Sequence, residues 1–176
     1  GHIKRILWVI TDWYRPQAYH DSSAWRSSWK QEGGGTLINQ NPHQLDLWQW
    51  MFGMPDKITA FASFGKYYDI EVEDEVTAYF EYANGTTGTY ITSTGEFPGT
   101  NRLEIACDMG TLIVEKTGMT FHRNVISERE FNTPHSRIRL PNIRKPTRAT
   151  DAGATRPAMI VITIGNRIFV VWETLL

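Results

Sequence analysis

Residues able to hold or exchange a proton gather in one short stretch of this chain, Glu32 to Trp50, which reads EGGGTLINQNPHQLDLWQW. At about 100° of rotation per residue, a helix through it stacks Asn39, His43, Asp46 and Trp50 along one stripe. An amide, an imidazole and a carboxylate are more polarity than a packing helix needs. His43 is the strongest chemical candidate, because an imidazole accepts or donates a proton near neutral pH. Oxidation of an alcohol by hydride transfer needs such a group, since the hydroxyl proton must leave as the hydride does. Asn39 can hydrogen-bond a substrate but cannot exchange a proton, and Asp46 can orient His43. The bland alternative is a solvated face on which Asp46 pairs with His43 at i+3. A metal shared by these two is the competing chemistry, but two ligands without a second cluster make no metal site, and none is assigned. The indole of Trp50 argues that the stripe is covered, by another domain or a flat ligand.

The elements that must position these groups follow from spacing. Ile38, Leu45, Trp48 and Phe52 fall on one arc, which predicts a helix from Thr36 to about Phe52 facing a core, with Pro42 in its early part and Gly53 and Pro55 as its stop. Gly33 to Gly35 allow close backbone approach ahead of that helix, where free N–H groups favour an anion or a polar ligand edge. They do not form the G-x-G-x-x-G fingerprint of dinucleotide-binding folds. Upstream, Ile3 to Trp13 reads as a strand, followed by a loop too long to be a mere connector. Downstream, the segments DKITAFASFG, DEVTAYFEYA, TTGTYITSTG, NRLEIACD, GTLIVEK and GMTFHRN read as a meander of strands. Asn84-Gly85 predicts a two-residue hairpin turn within it. The pattern gives an α+β domain: an open, mostly antiparallel sheet with helix packed on one face. Phe61, Phe64, Tyr79, Phe80, Tyr82 and Tyr90 could make one sheet face an association surface, so a non-catalytic interaction module is the second reading.

Composition narrows the classes. The chain has 176 residues, with 18 Lys and Arg against 19 acidic residues, a net charge of −1 that offers no global field toward nucleic acid or an acidic membrane. No apolar run approaches the roughly 20 residues of a membrane span. Cys107 is the single cysteine, which excludes an internal disulfide and suits a reducing compartment; cytoplasm is expected. From Arg123 onward Arg replaces Lys as the main cation, four prolines fall between Asn132 and Pro157, and only AMIVITIGNRIFVVWETLL restores apolar character. A boundary is therefore placed after residue 131, with 132–176 an irregular Arg-rich tail that is solvated over 132–157 and carries a possible final strand.

With Trp25-Arg26 followed by EGGGTLINQNPHQLDL, the chain resembles the C-terminal domain of the glucose-fructose oxidoreductase, inositol dehydrogenase and MocA family of NAD(P)-dependent oxidoreductases, over about residues 3–131. The resemblance implies a substrate pocket and an oligomer interface built on an open sheet, completed by an N-terminal Rossmann domain that binds NAD or NADP. It places His43 on the family's catalytic histidine, Asn39 where many members have an aspartate, and Trp25 and Arg26 near nicotinamide and substrate, with Asp46 beside them. The implied substrate is a sugar or polyol. Lacking the Rossmann domain and its Glu-Lys-Pro lysine, this chain is expected to be a fragment that binds no cofactor and has no dehydrogenase activity alone. Its Gly1-His2 start, without an initiating methionine, suits a cloning remnant.

Overall fold

Alternation of apolar side chains builds the sheet. In the computed structural model, which describes residues 1–133 and the backbone of 159–164 and 167–172, β1 (Ile3–Ile10) turns Ile6, Trp8 and Ile10 inward. The strand is shorter than the Ile3 to Trp13 expected. Six more strands follow: β2 (Lys57–Phe64), β3 (Glu73–Glu81), β4 (Thr87–Ser93), β5 (Asn101–Cys107), β6 (Gly110–Glu115) and β7 (Gly118–Arg123). The anticipated meander is real in two halves, β2-β3-β4 and β5-β6-β7, but β1 lies between them, parallel to β4 and antiparallel to β5. Where one final strand was possible, the backbone forms two, β8 (Met159–Ile164) and β9 (Arg167–Trp172), and β8 meets β2 in parallel at Ala62 and Ile164. The sheet is therefore open, mostly antiparallel and nine-stranded. The irregular stretch expected over 132–157 lies, from residue 134, outside the described residues.

The hairpin joining β3 to β4 is wider than predicted. Tyr82 N–H donates to the Thr86 carbonyl and Gly85 N–H to the Tyr82 carbonyl, so Ala83, Asn84 and Gly85 form a three-residue loop. Of these only Gly85 takes a positive φ, 83°. A type I turn closed by a left-handed glycine needs one such residue where a two-residue turn of the primed type needs two. The side chain of Asn84 instead accepts the N–H of Thr86.

On the inner face the sheet meets the helices. The expected single helix is two: α2 (Thr36–Asn39) and α3 (Pro42–Phe52), preceded in the long loop by α1 (Gln17–His20). The break falls before Pro42, whose ring disfavours helical geometry at Asn41 and whose nitrogen has no hydrogen to continue the ladder. Ile38, placed in the core arc on the assumption of one helix, is 59% exposed. Trp48 carries the docking of α3. Its indole lies over Gly88, where a Cβ would sit 2.5 Å from the ring. It packs on Trp8, Phe80 and Tyr90, and its Nε1–H donates to the Tyr82 hydroxyl at 2.8 Å.

Candidate functional site

The loop before α2 is tied down by two buried carboxylates. Glu73, at the start of β3 and 5% exposed, accepts the N–H of Gly35 at 2.9 Å and of Leu37 at 3.0 Å on its two oxygens. Gly35 is required here, because a Cβ would stand 2.0 Å from the Glu73 carbonyl. Glu32 accepts both the N–H of Ser27 and the side-chain amide of Asn39. Ser27 has a φ of +60°, a left-handed position that a serine adopts at a cost and that this contact helps to hold. Glu73→Gln keeps the shape but leaves one helix N–H facing an amide N–H. It is expected to lower stability by about 1–3 kcal/mol, read from the urea unfolding midpoint; an unchanged midpoint would show that the clamp is idle.

Between α2 and α3 a buried amide does similar work. Asn41 donates to the Thr36 carbonyl at 3.0 Å, to Thr36 Oγ1 at 2.9 Å and to Thr92 Oγ1 at 2.8 Å, and accepts from the Tyr90 hydroxyl at 3.1 Å. Burial pushes the Tyr90 phenol up, so it stays protonated and a donor. The Asn-Pro pair is a turn signal in sequence, yet nothing in its spacing announces that this asparagine bolts the next helix to β4.

His43 follows one residue after Pro42 and is exposed, with no side-chain hydrogen bond among the described residues. Asp46 and Trp50 share its outward stripe, Trp50 being 81% exposed, and Asp46 makes no hydrogen bond or ion pair with His43 among the described residues. Asn39 does not share the stripe as expected, since the break re-aims it. It lines a cavity of about 10 Å³, room for a single water, together with Tyr19, His20, Glu32, Gln40 and Glu73. Both its polar ends are engaged, Nδ2 by Glu32 and Oδ1 by the Gln40 amide at 2.8 Å. Trp25 is 45% exposed and Arg26 stacks on it at 4.5 Å. Among the described residues no group of three or more His, Cys, Asp or Glu comes together to hold a metal.

His20, in the same cavity, donates or accepts at Nδ1 with Ser27 Oγ at 2.6 Å, while its Nε2 is buried without a partner. Burial lowers its pKa against the pull of the Arg15 carbonyl, Glu32, Asp21 and Asp74. Below about pH 6.5 the unfolded chain therefore binds a proton that the folded chain resists. Stability is expected to fall as pH drops through that value toward the lowered folded one, and His20→Gln should remove this component from the pH dependence of the unfolding midpoint. A difference curve between the two proteins that stays flat from pH 8 to 5 would contradict it.

This arrangement of glycine clamp, helix break and outward imidazole lies within residues 1–113, which match the GFO/IDH/MocA C-terminal domain. The chain belongs to that family. Its members are C-terminal domains of NAD-dependent oxidoreductases. Among solved structures, the WlbA dehydrogenase from Bordetella pertussis, in complex with NADH and UDP-GlcNAcA, is 26% identical with a TM-score of 0.63, over 72% of this chain and 40% of its own. The WlbA dehydrogenase from Chromobacterium violaceum, with the same ligands, is 25% identical with a TM-score of 0.62, over 74% and 39%. Levoglucosan dehydrogenase in complex with NADH, at 17% identity and a TM-score of 0.56 over 70% and 40%, shares the fold. This chain thus spans about two fifths of the length of the structures it matches. No curated protein matches it by sequence. Among the described residues no helix is long and apolar enough to cross a membrane.

Proposed function

We propose that this domain supplies the substrate wall and the proton-transfer group of an NAD-dependent sugar or polyol dehydrogenase whose Rossmann domain lies outside the chain. The observation that carries the reading is His43: an unpaired imidazole held outward on α3, a helix fixed by Asn41 and Trp48, inside the family-matching stretch. When bound, the nicotinamide cofactor supplies the hydride acceptor. His43 takes the proton from the substrate hydroxyl, or returns it in the reverse direction. The half-exposed indole of Trp25, with Arg26 stacked on it, fits a flat ring bearing polar edges. Asp46 lies on the same stripe and can approach His43 once a partner covers it. Asn39, with both ends engaged, shapes the wall through Glu32. The NADH and nucleotide-sugar complexes of the two WlbA dehydrogenases support a sugar substrate and an NAD-type cofactor. Rejoined to a Rossmann domain, the protein should reduce NAD with a sugar or cyclic polyol, and the isolated chain should not; failure of the joined protein across a panel of such substrates would remove the reading.

A second role is supported by the outer sheet face. The register puts Phe61, Thr77, Ile91 and Val9 in one row and Thr59, Tyr79, Thr89 and Leu7 in the next, opposite the helices, and Phe61 and Tyr79 are 43% and 42% exposed. Phe80 and Tyr90, by contrast, belong to the core. Self-association through this face makes the protein a homo-oligomer, and Phe61→Glu with Tyr79→Glu should shift its sedimentation to the monomer. Unchanged sedimentation would place the interface elsewhere.

A further inference from the structure

Arg15 and Arg26 stand out from the sheet's arginines. Arg5 and Arg102 both hold glutamates, whereas neither Arg15 nor Arg26 has an ion pair among the described residues. Their guanidinium carbons lie 5.1 and 4.3 Å from the same Tyr19 ring, and each also rests on a tryptophan, Arg15 on Trp13 and Arg26 on Trp25. Each has one hydrogen bond: Arg15 Nη1 to the Tyr14 carbonyl at 3.1 Å and Arg26 Nη1 to the Tyr19 hydroxyl at 2.6 Å. In both, the Nε–H is buried with no acceptor. Asp21, Asp69 and Glu71 line the hollow beside Arg26 without pairing to it; Asp21 holds the Gln17 amide and Glu71 the N–H of Trp29. Stacking on aromatic faces strips water from a guanidinium and fixes its plane, leaving a rigid fork of donors that matches a carboxylate or phosphate. Buried donors without acceptors cost stability unless a ligand meets them. Tyr19, the ring between them, lines the same cavity as Asn39, Glu32 and Gly35, so the two cations flank the glycine clamp.

We infer that Arg15 and Arg26 form an anion-recognising subsite, and that the sugar this protein takes carries an acidic group, a carboxylate or a phosphate. The inference rests on the reading of the domain as a sugar dehydrogenase wall, but binding tests it separately from turnover. The full-length protein, with and without saturating NADH, is titrated with D-glucuronate, D-glucose 6-phosphate and D-glucose at fixed ionic strength. Calorimetry gives affinity, and nitrogen-15 spectra report the arginine Nε–H signals. At least one acidic sugar should bind about tenfold or more tightly than glucose, moving the Nε–H signals of Arg15 and Arg26. Arg15→Gln and Arg26→Gln should each erase that preference. The preferred acid distinguishes carboxylate from phosphate. Equal affinity for glucose, no binding by any of the three, preference surviving in the double variant, or unmoved Nε–H signals would each overturn the inference. An acidic sugar bound through both arginines yet never oxidised would leave the subsite standing and remove the dehydrogenase reading.

Discussion

Replacing His43 with alanine in the full-length protein should lower kcat for sugar oxidation by about 10²–10⁴-fold, the usual contribution of a positioned acid–base group. NADH affinity should stay within a factor of two or so, because the imidazole is asked to handle a proton and not to hold the cofactor. The fold should be untouched: His43 is exposed and makes no side-chain hydrogen bond among the described residues. Steady-state kinetics, cofactor titration and an unfolding curve on the same preparation separate these effects. His43→Gln sharpens the test, since it keeps hydrogen-bonding capacity and loses only proton exchange. Full turnover in either variant would take the imidazole out of the chemistry.

The largest effect on stability should come from Trp48→Ala, with a loss of about 3–5 kcal/mol, typical of a large aromatic removed from a packed interior. The indole is 3% exposed and touches Trp8, Phe52, Phe80 and Tyr90, so its removal leaves a cavity that aromatic neighbours on three different strands cannot fill together. Tyr82 also loses its closest partner and keeps the Gly53 carbonyl at 3.3 Å. Denaturant unfolding measures the loss. Trp48→Phe should recover most of it, leaving a deficit of about 1 kcal/mol for the missing N–H. A small loss in the alanine variant would mean that α3 is held mainly through Asn41.

Much of the architecture could be read from residue order, because strand alternation and turn glycines are local signals. All six segments from DKITAFASFG to GMTFHRN became strands, and the CDMGT and EKTGM turns close two-residue connections. What escaped depended on long-range partners. Nothing near Ile3 to Ile10 says that this strand separates two meanders, because its neighbours β4 and β5 come some eighty residues or more later. The helix was read as continuous because period alone favours it, while the conflict between Pro42 and the preceding residue was discounted. The site was legible at His43, where chemistry and motif coincide, and illegible at Glu73 and Asn41. A glutamate in a strand and an asparagine before proline look ordinary until a backbone N–H, a threonine and a buried phenol are brought to them.

The place of β1 makes the chain's first ten residues its seam. Since β4 and β5 are not neighbours, cutting this strand away would leave two separate ribbons with bare edges and no shared backbone ladder. Conversely, a nick in the connector after Ile10 should be survivable, the severed segment remaining zipped between its two flanks, so that a chain split there could be rebuilt from its two pieces.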